Sequence, residues 1–179
     1  MRWFSPINGI SGTRMRALSI TAVIVFLLDQ LSKLGVIRLL SLPERGEIDV
    51  IDPFINFRWA ENRGVNFGLF ANNGELMRWV LIAVAVAISA WVLIWLKRER
   101  PGKWSMIAGG LLIGGALGNV VDRIAYGYVA DFLTMSCCGL ENPYSFNIAD
   151  IAIFAGAIGL VLFGGKSGKS PPPKRRKTP

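Results

Sequence analysis

The chain has no histidine among its 179 residues. That absence excludes a Ser-His-Asp triad, a Cys-His pair and every His-ligated metal site. Cysteine is almost as scarce, and the two present, Cys137 and Cys138, are adjacent. Neighbouring residues rarely close a disulfide of good geometry, and two thiols with no other Cys or His make a poor metal site. They read as incidental loop residues, so no metal or cofactor is expected and the redox compartment stays unread. Acidic residues are few as well, 12 against 20 Lys and Arg, for a net charge of +8.

Basicity of that size raises nucleic acid as a partner, but its distribution argues for topology. Arg2, Arg14 and Arg16, then Lys97, Arg98, Arg100 and Lys103, then Lys166, Lys169, Lys174, Arg175, Arg176 and Lys177 make 13 of the 20 basic residues. Segment 39–77 holds only Arg45, Arg58 and Arg63, and 124–147 holds none. Between the basic groups the chain is strongly apolar, 52% hydrophobic overall with mean hydropathy +0.43. Residues 17–38, 78–96, 105–123 and 148–165 each approach the roughly 20 residues that a helix needs to cross a bilayer. Basic residues gathered on one side of an even number of spans place both termini in the cytoplasm. The first apolar segment exceeds a signal-peptide core and no small-x-small cleavage site follows it, so it reads as a retained span. The fold expected is an all-α membrane protein with four transmembrane helices in one domain, 1–165. Residues 166–179 are expected to form a disordered, basic cytoplasmic tail.

The first outer loop carries its own pattern. In "INFRWAEN", Ile55, Phe57 and Trp59 alternate with Asn56, Arg58 and Ala60, and Ile48 and Val50 alternate before Pro53. These predict two short strands with one apolar face. "LFANNGELMRW" predicts a turn and a short helix entering the second span.

Four acids lie in or beside the spans, where a charged side chain costs about 2.5–3.5 kcal/mol on insertion scales. Asp29 is four residues before Lys33, so the two pair on one helix face, and Lys33 also has the reach to extend toward the headgroups. Asn119, Asp122 and Arg123 stand at i, i+3 and i+4, a hydrogen-bonding surface for neighbouring helices, while Asp122 and Arg123 do not face each other squarely. Gly109, Gly110, Gly114, Gly115 and Gly118 before them allow close helix approach. Asp131 and Asp150 have no basic residue within four positions. Asn147 lies three residues before Asp150 on the same face. If the third and fourth spans pack antiparallel, the two carboxylates meet at the outer interface. Two carboxylates in one site cannot both ionise easily, so the pair holds one proton and titrates jointly. The ionised member can activate water while the protonated one donates to the scissile carbonyl.

Spacing alone leaves other readings open. Interfacial caps, or the proton relay of a small proton-coupled transporter subunit, use the same residues; a transporter of that kind would carry inverted repeats, and none is evident. A Ser-Lys hydrolase in which Lys33 activates Ser32 or another serine is a further reading, with Ser32 itself a poor partner because adjacent helix positions point apart. A purely structural membrane protein leaves the polar inventory unused.

The motifs "DQLSK" (29–33), "ENRGVNFGLF" (61–70), "GNVVDR" (118–123), "VADF" (129–132) and "FNIAD" (146–150) resemble, in order and context, those of the lipoprotein signal peptidases (signal peptidase II). The resemblance covers about residues 17–165. It implies an aspartic endopeptidase of the bacterial inner membrane that cuts prolipoprotein signal peptides before a diacylglyceryl-modified cysteine, with its active site near the periplasmic side. By motif, the catalytic dyad is Asp131 and Asp150. Asp29, Lys33, Asn62, Gly64, Asn119, Asp122, Arg123 and Asn147 then support the site or hold the substrate. A periplasmic β-cradle at about 45–77 and a short periplasmic helix are implied too. The expected partners are the lipid-modified prolipoprotein and membrane lipid, not nucleic acid, with the chain a monomer. One departure is Asn66, where the family usually has Ala, which bears on cradle packing and substrate preference.

Overall fold

The computed structural model describes residues 12–51, 54–64, 74–136 and 142–165. Asn66, the Cys137–Cys138 pair, residues 69–73 (the turn expected before the second span) and the tail 166–179 lie outside the described residues, while 74–79, expected as a short helix, are the start of a long one. Four long or medium apolar helices carry the fold: α1 (Gly12–Leu34), α3 (Gly74–Glu99), α4 (Lys103–Tyr126) and α5 (Ile148–Phe163). A π-helical turn (Gly35–Leu39) extends α1, and a four-residue helix α2 (Leu42–Arg45) follows it. Three helical segments, Gly12–Leu39, Glu75–Glu99 and Lys103–Tyr126, are long and apolar enough to cross a membrane, and α5 is a shorter apolar helix. The first three helical segments run past the expected span ends, because hydrophobic runs mark only the lipid-facing middle of each, whereas α5 starts where expected and ends at Phe163, short of residue 165.

Helix α4 is the centre. It packs against α1, α3 and α5, and 14 of its 24 residues are buried. Its glycines make this possible. A Cβ on Gly110 would lie 2.6 Å from Leu18 O, one on Gly114 2.5 Å from Ala22 O, and one on Gly115 2.5 Å from Ala149 O. Backbone therefore meets backbone on both flanks, as expected from the small-residue run. From α5, Gly156 does the same against Leu112 N and Ala108 O, and Gly159 leaves room for the Ala108 methyl group. The outer faces of α1, α3 and α5 expose Ile24, Leu28, Val84, Trp91, Phe154 and Val161 among others, a surface suited to lipid and costly in water.

The helix ends are tied at one end of the bundle. Arg14 Nη1 donates to Arg100 O and Pro101 O in the α3–α4 turn, both at 3.2 Å, and Ser105 Oγ donates to Phe163 O at 2.9 Å. The basic groups near Arg14 and near 97–103 therefore share an end, as the charge pattern required.

At the opposite end lies a three-stranded antiparallel sheet, β1 (Glu47–Ile51), β2 (Ile55–Asn62) and β3 (Val129–Met135), in the order β1-β2-β3. The two strands expected in the first outer loop are present. The third was not expected: "VADFLTM" read as loop after the third span. It is buried on both faces, so it has no alternating pattern to detect. Ile48, Phe57 and Leu133 on one face pack with Phe132, Val36 and Leu42, and Phe57 meets Phe132 edge-to-face with ring centroids 5.7 Å apart. Between Phe57 and Ala60 the β2–β3 register shifts by a bulge, after which Ala60 stands opposite Asp131 and Asn62 opposite Val129. Bulges re-aim side chains, and this one sits beside Asp131.

Candidate active site

Asp131 is brought in by β3 and is 2% exposed. Asn62 lies diagonally across from it on β2, after the bulge, and donates Nδ2 to Asp131 Oδ2 at 3.0 Å. Asn62 is itself oriented by Gly64, whose N–H donates to Asn62 Oδ1 at 3.0 Å. Gly64 has φ +89, a backbone conformation that favours glycine, and a Cβ there would also displace the tip of Leu81, 2.6 Å away.

Asp150 comes from the first turn of α5. Asn147 caps that helix: its Oδ1 accepts from Asp150 N at 2.9 Å, and Asp150 Oδ2 accepts from Asn147 N at 3.4 Å. This reciprocal capping box fixes the Asp150 side chain by local chemistry. The other end of the same Asn147 amide donates to Asp131 Oδ1 at 2.6 Å. One fully buried asparagine thus joins both acids. Asn119, on α4, donates Nδ2 to Asp150 Oδ1 at 2.8 Å, and its Oδ1 accepts from Asn147 at 3.3 Å and from Lys33 at 3.2 Å.

Beneath the acids lies a buried ionic cluster. Lys33 Nζ pairs with Asp29 Oδ2 at 2.8 Å and Asp122 Oδ2 at 2.6 Å. With Asn119 as its third acceptor, its three N–H groups are all engaged. The i, i+4 pairing with Asp29 was legible in sequence; the partnership with Asp122 was not. Lys33 is 3% exposed and does not extend toward headgroups as expected, because three acceptors inside the bundle outcompete the interface. Ser32 turns away, donating to Asp29 O at 2.8 Å, which removes the Ser32–Lys33 arrangement. Arg123 does not pair with Asp122 either; its Nη1 donates to Asn119 O at 3.4 Å.

Gln30 was not singled out from sequence, although it stands inside "DQLSK". Its Nε2 donates to Asp29 Oδ2 at 3.2 Å, Asp122 Oδ1 at 3.0 Å and Gly118 O at 3.4 Å. Gly118, read with the other glycines as helix packing, has a more specific role: a Cβ there would lie 2.6 Å from Asp29 Oδ2. Glycine at that position leaves the Asp29 carboxylate the room it occupies.

Burial and the neighbouring Asp150 charge raise the pKa of Asp131 to about 6, against the opposing pull of Asn62, Asn147 and Lys33. Two carboxyl groups sharing one buried asparagine form an arrangement suited to holding a single proton between them. Among the described residues no group of three His, Cys, Asp or Glu could hold a metal ion.

A sequence profile described as signal peptidase (SPase) II matches residues 21–164. A lipoprotein signal peptidase of Sphingopyxis alaskensis is 41% identical over 155 residues, covering 84% of this chain and 88% of that protein. Its counterpart in Xanthomonas euvesicatoria is 44% identical over 154 residues, with the same coverage of 84% and 88%. A solved bacterial membrane enzyme superposes with a TM-score of 0.70 at 25% identity, over 84% of this chain and 91% of that one. With the profile matched over most of the chain and relatives above 40% identity along most of their length, the chain belongs to the signal peptidase II family.

Proposed function

We propose that Asp131 and Asp150 are the catalytic dyad of an aspartic endopeptidase that removes the signal peptide of diacylglyceryl-modified prolipoproteins, cutting before the lipidated cysteine. Membership of a peptidase family favours this activity over a proton-coupled transporter. The observation that carries the dyad is the single Asn147 side chain bonded to Asp131 and capping the turn that bears Asp150. In the monoprotonated pair, the carboxylate takes a proton from water as its oxygen attacks the scissile carbonyl carbon, and the protonated partner donates to the carbonyl oxygen. The resulting gem-diol then collapses: the protonated acid gives its proton to the amine nitrogen, the C–N bond breaks as one gem-diol hydroxyl becomes the new carbonyl, and that hydroxyl's proton passes to the ionised acid, which returns the pair to its shared-proton state.

A signal peptide is apolar and must reach the acids from the lipid. Helices α3 and α5 are separated by a groove floored by α4. Near the dyad it holds about 280 Å³ lined by Val84, Ile88 and Ala116 with Asn119 and Arg123 at its end. It continues past Ile88 into about 330 Å³ lined by Trp91, Trp95 and Leu160. An apolar segment lying there has its backbone at the carboxylates and its acyl chains in lipid. In this reading α5 is the fourth span; its 16 residues rise about 24 Å, close to the ~30 Å hydrocarbon thickness. Both termini face the cytoplasm, in line with the basic residues at one end of the bundle. The dyad then lies at the periplasmic rim of the bacterial inner membrane, the sheet serves as the cradle, and the chain works as a monomer. Asp29, Lys33, Asn62, Gly64, Asn119, Asp122, Arg123 and Asn147 support the dyad or touch substrate.

The test is purified protein given a precursor with and without the diacylglyceryl group. Cleavage of the modified form alone is expected, and Asp131→Asn or Asp150→Asn should each abolish it while leaving the protein inserted. Substantial residual cleavage in either variant would overturn the dyad.

A further inference from the structure

We propose that Gln30 is a positioning residue for the dyad, acting with Lys33 as a double clamp on the carboxylates of Asp29 and Asp122. The inference rests on Asp131 and Asp150 being the reacting acids. Each clamped carboxylate holds the peptide N–H of the residue just before one of them. Asp29 Oδ1 accepts from Ala149 N at 2.9 Å, and Asp122 Oδ2 accepts from Ala130 N at 3.4 Å. Ala149 N is one of the donors that the first turn of α5 cannot satisfy within the helix, so a carboxylate from α1 completes it and faces the positive helix end. Ala130 N lies at the start of β3, where strand geometry sets the direction of the Asp131 side chain.

Two donors bridge the same two carboxylates. Lys33 Nζ reaches Asp29 and Asp122 at 2.8 and 2.6 Å; Gln30 Nε2 reaches them at 3.2 and 3.0 Å. Lys33 supplies charge to one oxygen of each acid. Gln30 supplies the donor to Asp122 Oδ1, the oxygen that Lys33 leaves free. With only one oxygen held, the Asp122 carboxylate turns about its last torsion and its 3.4 Å hold on Ala130 N weakens. A neutral amide suits this place because a second cation would bring more buried charge to be desolvated. The clamp therefore fixes the separation of β3 from α5, and with it the separation of the two acids.

The experiment uses full-length protein in detergent micelles, comparing wild type with Gln30→Met, which keeps volume and removes the donor. Activity on a diacylglyceryl-modified precursor should show kcat reduced about ten- to hundredfold, the scale of a misplacement near 1 Å, with KM unchanged. A second readout is the titration of Asp131 itself, followed by carboxyl carbon NMR and assigned with Asp131→Asn. The groups around Asp131 are Asp150 and Asn147 from the α5 end, Asn62 from β2, Lys33 from α1, and Asp122 and Arg123 from α4. Of these, Asp150 is the repelling neighbour whose distance the clamp sets, so loosening it should move the Asp131 titration to lower pH. An unchanged titration overturns the proposal whatever happens to activity, as does wild-type kcat in Gln30→Met or a change confined to KM. A shifted titration in a protein that cleaves no precursor leaves the clamp standing and removes the peptidase reading instead.

Discussion

Asn147 Nδ2 stands 2.6 Å from Asp131 Oδ1, joining β3 to the first turn of α5 across a sequence separation of 16 residues. The same side chain caps α5 through its oxygen. Cap and alignment are thus two duties of one amide, and substitution separates them. Asn147→Ala removes both, and loss of the cap alone costs about 1 kcal/mol of stability. Asn147→Ser keeps a capping oxygen but is too short to reach Asp131. Thermal stability in detergent should therefore be higher for Ser than for Ala, while both lose activity by about tenfold or more. Recovery of activity along with stability in Asn147→Ser would show that the cap is all that matters.

The shared proton of the proposed dyad gives a pH signature. Asp131 is held up at about 6 by burial and Asp150, and the Asn62 amide pulls it down by bonding to the ionised form. Losing the proton from the pair ends its acid function, so activity falls on the alkaline side. Asn62→Ala removes a donor that favours the charged carboxylate, which raises the Asp131 pKa and moves that limb to higher pH. A charge-assisted hydrogen bond of about 1.5–3 kcal/mol corresponds to roughly one pH unit or more. The profile of kcat/KM against pH checks it; movement toward lower pH contradicts the assigned role of Asn62.

Much of this site was legible because its chemistry is local. The Asp29–Lys33 pair follows from helix spacing, Asn147 and Asp150 from their three-residue separation, and the helices from long apolar runs. What escaped depends on tertiary register. Strand β3 is invisible to alternation because Asp131 faces polar partners and Phe132 faces the core, so both faces are buried. The Lys33–Asp122 contact joins α1 to α4, and no single-helix pattern encodes it. Gln30 looked like an ordinary polar residue until α4 was placed against it, and Gly118 resembled its packing neighbours until Asp29 occupied the space above it.

Lys33 is the only cation bonded within the buried cluster among the described residues, with side-chain exposures of 4%, 0% and 1% for Lys33, Asp29 and Asp122. Lys33→Met leaves two buried carboxylates without their counterion. Breaking a buried pair in this way costs about 3–5 kcal/mol. Unfolding in detergent should report that loss, and Asp122→Asn added to Lys33→Met should restore part of it by removing one stranded charge. A Lys33→Met protein as stable as wild type would mean that the cluster is solvated or neutral, contrary to its burial.

Gly114 and Gly118 lie one helical turn apart on α4 and are expected to fail differently. A Cβ at Gly114 would stand 2.5 Å from Ala22 O, against backbone. Gly114→Ala must push α1 away from α4, an overpacking penalty of about 1–3 kcal/mol that shows as lost stability. A Cβ at Gly118 would stand 2.6 Å from Asp29 Oδ2, the tip of a side chain. Gly118→Ala can be accommodated by turning that carboxylate, but the turn pulls Asp29 from Ala149 N and from Lys33. Activity should therefore fall further in Gly118→Ala than its loss of stability accounts for, whereas in Gly114→Ala the two should fall together. Measuring kcat and unfolding side by side for both variants distinguishes a glycine that admits a helix from one that admits a catalytic support.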